Sequence, residues 1–182
     1  VANTFTHISR KETDAILTTA KTISLDNPLL NVRLEKETLT KPVYILDRKL
    51  ELNFNFKVFS TGAHVTLFCS HTAFENKKLN NIPFNVSVVP IAETDGRLDL
   101  EMVLDKIGKD GRHELWVEAG GELFYQLHQE KRVQRTLIYC CPVWVGQEGT
   151  PAFNSAQVPF LSEVQTDQWQ SLGRDGLLEI RW

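Results

Sequence analysis

The run Leu115-Trp116-Val117-Glu118-Ala119-Gly120-Gly121-Glu122-Leu123 carries the sharpest chemical pattern in the chain. An apolar strand ends near a carboxylate, two glycines turn the backbone, and a helix begins. The first N–H groups of a helix lack partners within it and lie at the positive end of its dipole. Without Cβ atoms in the way, an anion such as a diphosphate can approach that backbone closely. In open α/β sheets, ligands sit at the carboxyl ends of strands, which is where this turn falls. Glycines after a strand also serve plain connections, and the pattern is neither G-x-G-x-x-G nor a P-loop. Glu122 suits the helix dipole yet repels a phosphate on the same turn. Glu118 can accept a hydrogen bond from a polar ligand, or stand as a surface carboxylate.

A second candidate lies between Thr22 and Arg33, around Asp26-Asn27-Pro28. Pro28 predicts an extended Asn27. Asp26 and Asn27 can bond nearby backbone and stiffen a loop. Such a loop holds one carboxylate, Asp26, and one guanidinium, Arg33, at fixed positions, and Arg33 can grip a phosphate through two N–H groups. A structural turn followed by an exposed basic residue is the plain alternative. No metal chemistry is expected. Cys69, Cys140 and Cys141 form no CxxC pair and the five histidines are scattered. The same odd cysteine count argues against a disulfide framework and predicts a reducing, cytoplasmic setting.

These residues need elements to hold them. Ala15–Thr18, Pro42–Leu46, His64–Cys69, Phe84–Ile91 and His113–Val117 read as strands. Asp95-Gly96 reads as a turn. Asp99–Ile107 is the clearest helix: Leu100, Val103, Leu104 and Ile107 form one apolar stripe, with Asp99 as N-cap and Gly108 as the stop. Glu122–Lys131 reads as a second helix with Leu123, Phe124 and Leu127 inward. Thr136–Val145 reads as a long strand buried on both faces. Leu161–Gln170 and Leu177–Trp182 read as a hairpin joined through Gly173 and Gly176. Strands alternating with helices predict an α/β fold with crossover connections. The terminal hairpin adds an antiparallel edge, hence a mixed, mostly parallel sheet.

A chain of 182 residues, 42% hydrophobic, suits one domain with a sizeable core. Its formal net charge of −3 argues against nucleic acid or a membrane surface as partner, since both are polyanions. The longest apolar run, Leu137–Val145, contains Pro142 and is too short to cross a bilayer. No basic-then-apolar leader opens the sequence.

His7-Ile8-Ser9-Arg10, Asp14–Thr18, Thr22 and Asp26–Arg33 follow one another in an order and spacing that resemble a known family. Lys41–Asp47, Leu115–Leu123 and Thr136–Tyr139 running on to Pro142 and Gly146 extend the likeness over nearly the whole chain. The chain resembles the reductase domain of the bifunctional riboflavin-biosynthesis deaminase/reductase. The resemblance implies a dihydrofolate-reductase-like three-layer fold. It implies NADPH-dependent reduction of 5-amino-6-(5-phosphoribosylamino)uracil to its ribitylamino product, with hydride accepted at C1′ of the opened ribose. Asp26 is then the catalytic candidate and, with Thr22, a cofactor contact. Gly120, Gly121, Glu122, Leu123, Phe124 and Tyr125 receive the cofactor diphosphate. Arg10, Leu30, Arg33 and Glu118 contact substrate, the two arginines at the 5-phosphate. A homodimer is implied, as is a zinc deaminase domain in a longer parent chain.

The sequence departs from the family's pattern in places. Asn27 stands where many relatives have a second aspartate. Arg48 stands where Ser or Thr is common, so it can serve a 2′-phosphate or simply be solvated. Val1–Phe5 resembles the family's opening strand and Thr6-His7 already resembles a later helix. The expectation is therefore a chain break, or a lost loop, near residues 5 and 6, with Asn3 joining the cofactor contacts. Two alternatives stay open: a reductase acting on the diamino-pyrimidinone before deamination, and a non-catalytic module for nucleotide binding or dimerisation.

Overall fold

A computed structural model describes residues 2–146, 149, 151 and 164–182. They group into two compact units, one of residues 7–119, the other of residues up to Thr6 together with 120–182.

The unit of residues 7–119 is built on a parallel sheet. Its strands are β1 (Ala15–Thr19), β4 (Val43–Leu46), β5 (Val65–Ser70), β6 (Val86–Ile91) and β9 (Leu115–Val117), in the order β6-β5-β4-β1-β9. Every neighbouring pair runs parallel. β-Branched and leucine residues dominate β1 and β5, which are buried on nearly every position. This is what helices on both faces require. Alternation splits the strands between two cores. Ile16, Val43, Ile45, Val65 and Leu67 face one, which takes Ile23 of α2 (Ala20–Asp26). Ala15, Leu17, Tyr44 and Phe68 face the other, which takes Val103 and Ile107 of α4 (Leu100–Lys109). Each such aliphatic side chain contributes about 1.5–3 kcal/mol on burial. A hairpin of β2 (Val32–Leu34) and β3 (Glu37–Leu39), a short α3 (His71–Asn76) and a ribbon of β7 (Glu93–Thr94) and β8 (Arg97–Leu98) complete the unit.

The other unit contains α5 (Gly121–Gln129) and an antiparallel sheet of β10 (Arg135–Cys140), β11 (Thr166–Leu172) and β12 (Asp175–Arg181), in the order β10-β12-β11. The fold is thus α/β with a helix-flanked parallel sheet and a C-terminal antiparallel hairpin, as expected. The hairpin pairs with β10 in a sheet of its own. Its turn is Gly173-Arg174, since Leu172 faces Asp175. The expected start at Leu161 lies outside the described residues.

Several local expectations fail. The opening segment is no strand: α1 spans Ala2–Glu12. Thr6 Oγ1 bonds the Ala2 carbonyl one turn back, and Lys41 Nζ bonds the Lys11 carbonyl at the other end. Gly108 does not stop α4. The helix continues to Lys109, and Gly111, at φ 76°, supplies the left-handed residue that releases the chain. The strand expected over Thr136–Val145 ends at Cys140 and is not buried on both faces. Val143, Trp144 and Val145 are exposed, with no strand pairing to use their apolar run.

Candidate functional site

The carboxyl ends of β1 and β9 fix Glu118. Its N–H donates to the Leu17 carbonyl at 2.9 Å, and its carbonyl accepts from Thr18 Oγ1 at 2.7 Å. Thr18 is fully buried, so this pin is anchored in the sheet. The side chain is held as firmly. Arg10 Nε donates to Oε1 at 2.5 Å and Arg10 Nη2 to Oε2 at 2.8 Å, a two-pronged pairing that matches the guanidinium fork. Trp116 Nε1 donates to Oε1 at 2.6 Å. Arg10 Nη1 turns the other way and donates to the Asn31 carbonyl at 2.9 Å.

Asn31 belongs to the segment that leaves α2. Thr19 caps that helix by accepting from the Thr22 N–H, and Asn27 closes it in left-handed geometry, φ 43° and ψ 52°. Asn27 is therefore not extended. Pro28 disfavours a right-handed helix there, and the chain takes the left-handed C-cap instead. The Asn27 Oδ1 accepts from the Lys57 N–H at 2.8 Å, which ties the turn to a neighbouring loop. Leu30 also has positive φ, 50°, yet is 2% exposed. A bulky residue in that region is strained by about 1–2 kcal/mol and persists only where its surroundings hold it.

Arg33 does not sit in the loop as expected. It lies on β2, exposed, and its N–H donates to His7 Nδ1 at 3.2 Å. His7 and Arg10 share one face of α1, three residues apart. Desolvation, then the charges of Arg10 and Arg33, hold the His7 imidazole below its ordinary pKa. Thr22 and Asp26 share a face of α2, four residues apart, with Asp26 exposed at its last residue. Arg48 is not simply solvated: it pairs with Glu93 at 2.9 Å.

Asn3 and Gly120–Tyr125 belong to the other unit. Gly120 is the N-cap of α5, and no side chain caps the helix there. Its φ of −72° suits any residue, and a Cβ at Gly120 would meet no atom within 4 Å. Neither backbone nor packing requires glycine at that position; what it provides is bare backbone beside the helix N-terminus. That donor set fits a diphosphate, against which the exposed Glu122 counts. Leu123 and Leu127 are buried inward; Phe124 is half-buried, its ring tilted 34° to that of His128 with centroids 4.1 Å apart.

Three members of this arrangement escape a reading of residue types: Trp116, Asn31 and His7. Only for Trp116 did the sequence hold a signal, its position two before Glu118 on the same face of a strand.

The RibD C-terminal domain family matches residues 1–178. The riboflavin biosynthesis protein RibD of Haemophilus influenzae is 28% identical, over 91% of this chain and 47% of that protein. A 5-amino-6-(5-phosphoribosylamino)uracil reductase of Buchnera aphidicola is 26% identical, over 78% of this chain and 72% of that one. The solved structure of the Saccharomyces cerevisiae riboflavin biosynthesis reductase Rib7 shares the fold, with a TM-score of 0.80 at 21% identity, over 99% of this chain and 80% of that one. The chain spans less than half the length of the first curated relatives it matches, 41% and 47%.

Proposed function

The chain belongs to the RibD C-terminal domain family, and from that membership we propose that it is a pyridine-nucleotide-dependent reductase of riboflavin biosynthesis. Its substrate is 5-amino-6-(5-phosphoribosylamino)uracil and its cofactor NADPH. When bound, the reduced nicotinamide supplies the hydride that C1′ of the opened ribose accepts. The protein supplies position and charge.

One observation carries the reading: Glu118 is fixed by backbone and side chain at the carboxyl end of the parallel sheet, with Arg10 on its carboxylate. There it orients a polar substrate as a hydrogen-bond acceptor. Arg33 and the remaining N–H groups of Arg10 take the 5-phosphate, and Leu30 packs against substrate. Thr22 and Asp26 meet the cofactor, and Asp26 moves the proton near C1′. Asn3 and Gly120 through Tyr125 hold the cofactor, the latter at the diphosphate. Residues 1–182 act as one reductase domain, with a deaminase domain in a longer parent chain and a homodimer as the assembled form.

Consumption of NADPH is followed with the aminouracil substrate and, in parallel, with the diamino-pyrimidinone substrate. Turnover of the former at the higher kcat/KM is expected. Preference for the latter moves the reaction before deamination. Cofactor binding with turnover of neither substrate sinks the reading and leaves a nucleotide-binding module.

A further inference from the structure

Glu118 receives three side-chain donors, and they are not shared evenly. Oε1 accepts from both Trp116 Nε1, at 2.6 Å, and Arg10 Nε, at 2.5 Å, while Oε2 accepts from Arg10 Nη2 alone, at 2.8 Å. A carboxylate oxygen offers about two lone-pair directions. Oε1 is therefore filled and Oε2 keeps one place open.

We infer that Trp116 is a positioning residue: with Arg10 it saturates Oε1, so that Glu118 presents one acceptor, Oε2, in one direction to a substrate hydroxyl or N–H. This rests on the reading that Glu118 touches substrate. The indole is placed for the task by strand geometry. Residues 116 and 118 lie on the same face, and the ring packs against the core cluster that includes Ile16 and Val43. The apolar contact fixes the ring and the ring fixes the carboxylate. Arg10 alone would hold the carboxylate plane but leave an acceptor place open on each oxygen. Water or a misdirected donor could then occupy Oε1.

The test removes the N–H and keeps the shape. Trp116 is replaced site-specifically by benzothienylalanine, in which sulfur stands for the indole N–H, and Trp116→Phe serves as a second variant. The expected result is a KM for the aminouracil substrate raised about tenfold, the scale of one charge-assisted hydrogen bond, with kcat changed less than about twofold. In a Glu118→Ala background the same replacement has no further effect, because its target is gone. An unchanged KM in an active benzothienylalanine enzyme overturns the inference and spares the function. A lower kcat at unchanged KM, or equal losses with and without Glu118, assigns Trp116 a packing role and also overturns it. An inactive wild-type protein overturns the reductase reading, and this inference with it.

Discussion

Arg10 has five N–H groups, of which three are committed to Glu118 and the Asn31 carbonyl, leaving two for a ligand. It is as much a brace for Glu118 as a phosphate ligand. Arg10→Met should lower the unfolding free energy by about 2 kcal/mol in urea titration, since a carboxylate only 25% exposed loses its charged partner. Arg10→Lys should restore little of this, because an ammonium cannot supply the fork. Asp26 stands differently: it is exposed, and its removal should leave stability within about 0.5 kcal/mol. Asp26→Ala should instead cut the reductase rate more than about tenfold, the loss typical of a positioned acid. An unchanged rate would remove it from the chemistry. Glu118 and Asp26 stand out in the sequence as candidate carboxylates, and Arg10 only through the family likeness. The pairing of Arg10 with Glu118 was not legible, because the two are separated by 108 positions and no local rule links them.

At the scale of elements, strong periodicity read truly and chemistry-laden apolar runs did not. The stripe of α4 and its Asp99 cap stand as expected, because a 3.6-residue period admits few other structures. The run around Val143-Trp144-Val145 resembled a buried strand only in composition; period alone could not separate it from exposed chain. Val1–Phe5 resembles a strand by family likeness alone, whereas Ala2–Phe5 form the first turn of α1. The hairpin of β2 and β3 turns at Glu35-Lys36, which carries no glycine, asparagine or proline to announce it. Loss of the α2 cap in Thr19→Ala should cost about 1 kcal/mol. Leu30 allows a sharper test. Glycine ordinarily costs up to about 1 kcal/mol more than alanine, through chain entropy. At φ 50° the left-handed penalty on alanine, about 1–2 kcal/mol, outweighs it. Leu30→Gly should therefore be no less stable than Leu30→Ala by urea midpoint, although both lose the buried side chain.

For the molecule as a whole, stability should fall on acidification. His128 is buried, its Nδ1 against the Phe124 carbonyl and its Nε2 against Thr136 Oγ1, which also accepts from Trp182 Nε1. Burial holds its pKa below 6.5, against an opposing pull from the Phe124 carbonyl, and His7 is lowered as well. Below the unfolded pKa of 6.5 the unfolded chain therefore binds protons that the native state resists, and stability is lost as pH falls from there. Urea midpoints at about pH 7.5 and 5.5 should show the drop, and His128→Gln should shrink it. An equal drop in that variant would acquit His128. The order β6-β5-β4-β1-β9 has a kinetic corollary. β1 pairs with β4 nearby in sequence, but with β9 only across the register Ala15↔Leu115. Loop closure makes that pairing the late one, so a four-stranded intermediate can hold most of the parallel core yet lack Glu118. Ligand recognition then arrives with the final closure. In stopped-flow experiments a ligand of Glu118 should retard unfolding and leave the folding rate untouched.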